Sequence, residues 1–305
     1  MRQQKKNVLI LGGSGFLGSS LINEMLQYRN YNIFCFYRKF NNFKRFNLKD
    51  NKYKKIIFIN NNNLENYFSK VKFDVICNCA VNYGRNGILD TKKVLDSNIY
   101  FPLKVLELAI KYKSKCFLNT DSYFSKNDMT YKSLLNYSLS KQALRLWLNS
   151  YSDKIKVINI VLEHLYGDPY INDKFLEKCI YDISIGKVNS IDLTLGKQKR
   201  DFLYIDDAVR AYIKIINHIS LKNFTYKDIG LGTGKMYQLS TFIKKIKLVS
   251  NSETILNFGA IDYRKDEIFS SYANIKELKK LNISFQNDIY MGISKTLKKM
   301  SILYE

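Results

Sequence analysis

The chain has 305 residues, of which 46% are hydrophobic and 25% charged, so it can bury a sizeable core. This composition excludes a disordered or collagen-like protein, and at ~150 residues per domain the length predicts about two lobes. Lys and Arg number 49 against 27 Asp and Glu, a formal net charge of +22. Such a charge fits a polyanionic partner, either nucleic acid or an anionic membrane surface, or a lysine-rich composition. The even spread of basic residues favours the explanation by composition.

No membrane-spanning helix is expected, because no run of ~18 uncharged apolar residues exists. The first apolar run, residues 8–11, is too short for a signal peptide. An odd number of cysteines without a signal peptide predicts reduced thiols in the cytoplasm. Cys77 and Cys79 have no second Cys/His pair at a zinc-ligand spacing, so we expect no metal site. The five cysteines are Cys35, Cys77, Cys79, Cys116 and Cys179.

The first half of the chain alternates strand and helix patterns. Short apolar runs predict strands over 8–11, 33–37, 56–59, 74–79, 116–119 and 157–162. Helical spacing of apolar residues predicts helices over 19–28, 98–112 and 137–150. Continuous apolar strands alternating with helices indicate an α/β fold, a doubly wound parallel (Rossmann) sheet.

From residue 164 onward the pattern loosens into short helices and isolated strand-like pieces, which predicts a smaller second lobe. The chain has only two prolines and no low-complexity linker. We therefore expect the two lobes to be interlaced in sequence. The predicted boundaries place residues 1–163 and 200–230 in the Rossmann domain and residues 164–199 and 231–305 in the second lobe.

A glycine-rich turn joins the first predicted strand to the first helix. Gly12, Gly15 and Gly18 have the spacing G-x-x-G-x-x-G. Glycines at these positions allow a tight turn and close approach of the backbone to a pyrophosphate, which the helix N-terminus then binds. The position between strand and helix makes this a strong prediction of a dinucleotide site.

The end of the second strand distinguishes the two nicotinamide dinucleotides. An NAD site carries an acidic residue there, which binds the ribose 2′-hydroxyl. This strand is followed instead by Arg38 and Lys39. Cations suit the 2′-phosphate, so the sequence favours NADP(H).

Tyr137 and Lys141 form a Y-x-x-x-K motif at the start of a predicted helix. Residues i and i+4 share a helix face, so the phenol and the ammonium point the same way. We expect the ammonium to lower the pKa of the tyrosine, which can then pass its proton to a carbonyl oxygen. Thr120, at the end of the fifth strand, completes a Thr-Tyr-Lys set.

These motifs resemble the extended short-chain dehydrogenase/reductases, a family of nucleotide-sugar epimerases, dehydratases and reductases. The resemblance covers essentially the whole chain and includes the R-D-F motif that starts at Arg200. Residues 117–122, 162–167 and 258–261 resemble the nucleotide-sugar 4-ketoreductases of O-antigen and capsule biosynthesis more closely. The implied activity is NADPH-dependent reduction of the C4 ketone of a CDP-like nucleotide-linked deoxyhexulose.

The resemblance implies three groups of site residues. The catalytic residues are Thr120, Tyr137 and Lys141. Cofactor contacts are implied at Gly12, Ser14, Gly15, Phe16, Leu17, Gly18, Arg38, Lys39, Ala80, Asn98, Tyr137, Lys141 and Leu162. Substrate contacts are implied at Tyr83, Asp121, Ser122, His164, Lys174, Phe175, Arg200 and Arg264, with both arginines on the sugar-nucleotide diphosphate.

Two departures from the family pattern bear on the reaction. The family carries Asn after the sixth strand, where this chain has His164, as the 4-ketoreductases do. The dehydratases carry Thr-Asp-Glu where this chain has Thr120-Asp121-Ser122. Because water elimination needs both an acid and a base, the missing glutamate argues against a dehydratase.

Two alternatives stay open. A nucleotide-sugar epimerase with retained NAD(P) is the nearest, and Arg38 weighs against it. A non-enzymatic NADP-binding or nucleic-acid-binding protein ranks low, because the catalytic set is intact. Relatives of this fold often dimerise through helices beside the Tyr-Lys helix, so we expect a homodimer. Core packing explains part of the apolar stripe on that helix equally well: Leu144, Leu146, Trp147 and Leu148.

Overall fold

The computed structural model describes residues 5–38, 45–46, 48–128, 131–170, 174–219 and 224–304. The chain divides into two compact units, each formed from two stretches of sequence. The first unit comprises residues 1–161 and 209–229, and the second comprises residues 162–208 and 230–305. The predicted boundaries assigned residues 200–208 to the first unit. They belong to the second, where residues 199–200 and 202–204 form strands that pair with other strands of that unit.

The elements in the first 162 residues alternate between strands and helices. The strands are β1 (Lys6–Leu11), β2 (Tyr31–Phe36), β3 (Ile56–Ile59), β4 (Val75–Asn78), β5 (Cys116–Ser122) and β6 (Lys156–Leu162). The helices are α1 (Phe16–Met25), α2 (Leu64–Lys70), α3 (Thr91–Leu95), α4 (Phe101–Lys111) and α5 (Leu135–Ser150), with a π-helical turn (Asp96–Tyr100) joining α3 to α4.

Among the described residues, the rest of the chain contributes eight strands, four longer helices and the five-residue α9. The strands are β7 (His164–Tyr166), β8 (Ser190–Leu193), β9 (Lys199–Arg200), β10 (Phe202–Tyr204), β11 (Tyr226–Leu231), β12 (Tyr237–Gln238), β13 (Ile255–Phe258) and β14 (Ser270–Ser271). The helices are α6 (Phe175–Ser184), α7 (Ile205–His218), α8 (Leu239–Ser250), α9 (Lys276–Lys280) and α10 (Ile289–Tyr304).

Among the described residues, the central sheet has seven strands in the order β3-β2-β1-β4-β5-β6-β11. The pairings of β1 with β2 and β4, of β2 with β3 and of β4 with β5 are parallel. The predicted doubly wound sheet is thereby confirmed. The strand order reverses between β1 and β4, and such a switch point is where open α/β sheets bind ligands.

Register brings the predicted cofactor residues to one edge of the sheet. Leu11, the last residue of β1, is level with Phe36 at the end of β2 and Asn78 at the end of β4. The glycine turn, Arg38 and Ala80 therefore follow three strand ends that lie at the same level.

The core of the first unit follows from the alternation of side chains along these strands. Alternate strand residues such as Leu9, Phe34 and Ile76 are at most 4% exposed and point to one face. On that face they join one apolar cluster with residues of α4 and α5, including Val105 and Leu144.

Two features of this sheet differ from the prediction made from the sequence. Strand β5 continues to Ser122, three residues beyond the predicted end, because Asp121 and Ser122 are buried as extended backbone. Strand β11 was not predicted, and it closes the sheet beside β6. Its sequence, YKDIGL, alternates polar and apolar residues only weakly.

The second unit is built from small sheets and helices of 10 to 16 residues, longer than the predicted short pieces, apart from the five-residue α9. Buried acids hold its loops. Both carboxylate oxygens of Asp201 accept hydrogen bonds from backbone amides, including Thr233 N at 2.8 Å and Ala273 N at 3.1 Å. Asp207 likewise accepts from Gln286 N and Asn287 N at 2.9 Å. Asp201 and Asp207 are thus structural.

All five cysteines are unpaired, and four of them are buried. Within the described residues, no helix is both long enough and apolar enough to cross a membrane. The described residues also contain no group of three or more His, Cys, Asp or Glu side chains that could hold a metal ion.

Candidate active site

The glycine turn leaves no space for side chains. Gly12 has φ +76°, and a Cβ there would lie 2.6 Å from Ala80 N, so only glycine fits between the ends of β1 and β4. A Cβ on Gly18 would collide with the carbonyl of Gly12. Gly15 N donates to Gly12 O at 3.0 Å, which closes the turn.

The N-terminus of α1 suits a pyrophosphate. Gly15 caps the helix, and among the described residues no side chain caps it and no acid lies in its first turn. The side chains of Phe16 and Leu17 are buried, so the helix approaches the turn with its backbone, beside the half-buried Ser14. This cradle fits the dinucleotide that the sequence predicts.

Arg38 follows β2 as predicted and is oriented by a hydrogen bond. Its Nη1 donates to Ser97 Oγ at 3.0 Å, and Ser97 is only 6% exposed. A second cation was not anticipated: the Arg45 guanidinium lies 5.7 Å from the ring centre of Phe16, at the glycine turn. Lys39 lies outside the described residues.

Helix α5 presents Tyr137 and Lys141 on its buried face, 5% and 3% exposed. The Lys141 Nζ donates to the carbonyl oxygen of Thr120 at 2.6 Å and lies 5.8 Å from the ring centre of Tyr137. The structure therefore brings Thr120, Tyr137 and Lys141 together, as the Y-x-x-x-K spacing indicates.

The expected lowering of the tyrosine pKa is not observed. Burial raises the pKa of Tyr137 well above its usual value, and a hydrogen bond with Ser122 only partly opposes this. Burial also lowers the pKa of Lys141, while the charge of Asp121 raises it. The Lys141 ammonium donates to the Thr120 carbonyl and not to the phenol. The removal of the phenol from water is therefore the largest influence on the pKa of Tyr137.

Tyr83 lies against Tyr137, the predicted catalytic tyrosine. Its ring is stacked on that of Tyr137, with centres 4.8 Å apart and planes at 18°. The guanidinium of Arg85 lies 5.6 Å from the centre of Tyr83 on this stack. The predicted substrate residue Tyr83 is therefore in the immediate surroundings of the phenol.

The placement of Asp121 does not match its predicted contact with substrate. It is 2% exposed, and its oxygens accept from Ser122 N at 2.8 Å, Ser125 Oγ at 2.7 Å and Asn159 Nδ2 at 3.1 Å. The carboxylate thus holds the backbone after β5. Ser122 is also buried and reaches Tyr137, not solvent.

A line of buried amides supports this carboxylate. Asn78 Nδ2 donates to Asn119 Oδ1 at 2.9 Å, and Asn119 Nδ2 donates to Asn159 Oδ1 at 2.8 Å. Asn159 in turn donates to Asp121 and, at 2.8 Å, to Asp228. We call Asn78, Asn119 and Asn159 the asparagine line. It crosses β4, β5 and β6.

Asn98 lies in the π-helical turn between α3 and α4 and is 1% exposed. Its Nδ2 donates to Asn82 O at 2.8 Å and to Ser140 Oγ at 2.9 Å, and its Oδ1 accepts from Asn82 N. It thereby ties the loop after β4 to helix α5. Leu162, also predicted to contact the cofactor, ends β6 and is half-buried.

Arg200, predicted to bind the substrate diphosphate, forms an ion pair within the second unit. Its Nη2 lies 2.6 Å from Glu267 Oε1, and both side chains are nearly buried, at 7% and 11% exposure. Its Nη1 donates to the carbonyl of Lys199 at 2.9 Å. Arg264 is exposed on the same stretch as Glu267, and its carbonyl accepts from Glu267 N.

His164 is half-buried at the start of β7, with its ring 5.5 Å from that of Phe202. Burial, followed by the charges of Arg200 and Lys174, lowers the pKa of the imidazole to about 3. Lys174 caps α6, and Phe175 is 48% exposed at its first residue. A neutral imidazole among cations can bind a polar group without adding charge.

Several residues that contact the predicted site residues of each unit were not anticipated from the sequence. Tyr212 on α7 lies 2.8 Å from the Thr120 hydroxyl, and Glu267 pairs with Arg200. Asn119 and Asn159 each interrupt an otherwise apolar strand run, and that interruption is a readable signal. Tyr212 carries no such signal, because it continues the apolar face of α7.

We expect His164→Gln to weaken the pH dependence of stability. An unfolded histidine takes up a proton near pH 6.5, whereas His164 in the folded chain stays neutral to about pH 3. Folding stability is therefore lost as the pH falls from about 6.5 towards 3. Melting temperatures at pH 7.5 and 5.0 should differ less in the variant. His218→Gln, which removes the other histidine, is the control, and equal losses in wild type and His164→Gln would contradict the prediction.

Comparisons with known proteins identify the family. The model of the NAD dependent epimerase/dehydratase family matches residues 8–227. CDP-abequose synthase from Salmonella muenchen is 32% identical over 303 residues, covering 97% of this chain and 99% of the relative. The corresponding Salmonella typhimurium protein is 31% identical, with the same coverage.

Solved structures share the fold at lower identity. UDP-glucuronic acid 4-epimerase from Bacillus cereus, in complex with UDP-glucuronic acid and NAD, superposes with a TM-score of 0.83 at 20% identity, covering 98% of this chain and 100% of that one. The chain therefore belongs to the NAD dependent epimerase/dehydratase family, the extended short-chain dehydrogenase/reductases that its glycine turn and its Thr-Tyr-Lys set resemble.

Proposed function

We propose that this protein reduces the C4 ketone of a CDP-linked deoxy-4-ketohexose with NADPH, in surface-polysaccharide biosynthesis. The observation that carries the proposal is the cluster of Thr120, Tyr137 and Lys141 in a chain 32% identical to a CDP-abequose synthase along nearly its whole length. Support for NADPH comes from Arg38 at the end of β2, where an NAD site has an acid.

Tyr137 is the general acid of the proposed reaction. Burial raises the pKa of its phenol well above the usual value, so the phenol carries a proton at neutral pH that it can donate to the C4 oxygen. The nicotinamide supplies the hydride when bound. Negative charge that develops on the C4 oxygen is then neutralised by the phenol proton, a step that contributes about 10²–10⁴-fold to such reactions.

Thr120 and Lys141 assist the phenol in the proposal. The Thr120 hydroxyl hydrogen-bonds the C4 oxygen, and Lys141 places a positive charge beneath the phenol ring. A phenolate left after proton transfer is stabilised by that charge. Lys141 would then restore the proton of the phenol, and a bound dinucleotide would supply its ribose hydroxyls for this transfer, as the family resemblance implies.

Residues of the second unit bind the substrate in the proposal. Arg200 and Arg264 bind the diphosphate through charge-assisted hydrogen bonds, with Glu267 orienting the Arg200 guanidinium. His164 contacts the sugar as a neutral polar group. A net charge of +22 steers both anionic ligands towards the protein.

A retaining epimerase is the second candidate, because the solved structure from Bacillus cereus is an epimerase with NAD bound. Incubation of the protein with NADPH and a CDP-linked deoxy-4-ketohexose separates the two. Steady loss of absorbance at 340 nm, on the order of one NADPH per sugar reduced, supports the reductase. An isomerised sugar with no net NADPH consumption would support the epimerase.

We expect Tyr137→Phe to lower kcat by about 10²–10⁴-fold, because the variant lacks the proton donor. NADPH binding, followed by its fluorescence, should change little. Tyr151→Phe removes a phenol just beyond the C-terminus of the same helix and should retain wild-type turnover. Unchanged turnover in Tyr137→Phe would refute the assigned role.

We expect Arg38→Ala to weaken NADPH binding by roughly 10- to 100-fold, the value of a charge-assisted hydrogen bond. NADH lacks the 2′-phosphate, so its affinity should change much less. Titration of both dinucleotides by fluorescence measures this difference. A similar loss for both cofactors would show that Arg38 does not read the 2′-phosphate.

We further propose that two copies associate through the helices around α5. Leu144 and Leu148 are fully buried, whereas Leu146 and Trp147 are 68% and 49% exposed, and Tyr100 of the π-helical turn is 67% exposed. Core packing therefore explains only half of the apolar stripe. An apolar helix face of this kind fits a second copy of the chain.

We expect Leu146→Glu to convert a dimer into a monomer, because it would bury a charge in the interface. Multi-angle light scattering measures the mass directly. Leu248→Glu alters a leucine of similar exposure, 70%, on α8 and should leave the mass unchanged. A wild-type protein of monomer mass would refute the association.

A further inference from the structure

Tyr212 on α7 contacts the predicted catalytic threonine. Its side chain is fully buried, and its hydroxyl lies 2.8 Å from Thr120 Oγ1. The Thr120 hydroxyl also donates to Cys79 Sγ at 3.8 Å, just beyond the end of β4. The Thr120 hydroxyl therefore has a phenol and a thiol as neighbours, and all three residues belong to the first unit.

The chemistry of the three groups determines the direction of these hydrogen bonds. Burial raises the pKa of Tyr212 well above its usual value and that of Cys79 to about 11, so both keep their protons at neutral pH. A protonated phenol is a stronger donor than an aliphatic hydroxyl, and a thiol sulfur is a weak acceptor. Tyr212 thus donates to Thr120, and Thr120 donates to Cys79.

Of these two hydrogen bonds, the one from Thr120 to the Cys79 sulfur is the weaker. A carbonyl oxygen is a much better acceptor than a thiol sulfur. An incoming ketone can therefore accept the hydrogen bond from Thr120 in place of Cys79 at little cost in free energy. The bond from Tyr212 is kept, and a hydroxyl that accepts one hydrogen bond becomes a stronger donor of the next.

We propose that Tyr212 is a positioning residue for Thr120: its phenol occupies an acceptor site on Oγ1 and so directs the Thr120 proton to the C4 oxygen of the ketosugar. The inference deepens the proposed reductase function and rests on it. The bond to the C4 oxygen strengthens as negative charge develops there, so the effect belongs to kcat more than to KM.

The test is Tyr212→Phe, which removes the hydroxyl and keeps the buried ring. With NADPH and a CDP-linked deoxy-4-ketohexose, we expect kcat to fall about 5- to 10-fold, the value of one hydrogen bond, and KM for the sugar to stay within about twofold. Tyr31→Phe is the matched control. Tyr31 lies at the amino end of β2, and its phenol forms a 2.8 Å hydrogen bond with Asn217, which is on α7 like Tyr212. Loss of this bond should leave kcat unchanged.

A double variant separates positioning from general damage. In a Thr120→Val background, Tyr212→Phe should cost nothing further, because the hydroxyl through which it acts is gone. Unchanged kcat in Tyr212→Phe alone, or an equal fold-loss in both backgrounds, would overturn the inference.

Unfolding free energies of the same four proteins test the hydrogen bond without substrate. A shared bond makes the two single losses non-additive, so the double variant should lose less than their sum. If the wild-type protein consumes no NADPH with this sugar, the proposed function fails, yet non-additive losses still support the pairing of the two hydroxyls. Additive losses overturn the inference whatever the substrate is.

Discussion

The 2.6 Å hydrogen bond from the Lys141 ammonium to the Thr120 carbonyl joins helix α5 to strand β5. Lys141 is only 3% exposed, and an ammonium so removed from water is unstable without compensation. The carbonyl supplies an acceptor, and the negative charge of Asp121 opposes the lowering of the Lys141 pKa that burial causes. Tyr137 lies one helical turn before Lys141, so the same hydrogen bond between α5 and β5 also positions Tyr137.

The asparagine line explains how a parallel sheet holds the buried carboxylate of Asp121, whose charge acts on Lys141. Buried amides are costly unless their donors and acceptors are satisfied, and here each amide donates to the oxygen of the next residue across the sheet. The line ends on the carboxylates of Asp121 and Asp228. It therefore fixes strand register and anchors Asp121 beside Lys141 through one set of bonds.

The second unit uses its charged residues differently. Asp201 and Asp207 hold loops through backbone amides, and Glu267 neutralises Arg200 in a nearly buried pair. A motif whose arginine suggested only ligand binding is thus also a structural junction. The family resemblance predicted the arginine, whereas its partner Glu267 became visible only in three dimensions.

Local pattern in the sequence was sufficient for the strands up to β6, the glycine turn and the i, i+4 pair of Tyr137 and Lys141, because each depends on neighbours a few residues away. Tertiary structure decided what depends on distant partners. Tyr212 meets Thr120 across 92 residues, and β11 completes the sheet after a long insertion. It also reversed the expected pKa of Tyr137, because the spacing of Y-x-x-x-K specifies a nearby charge, whereas the loss of water around the phenol is set by packing.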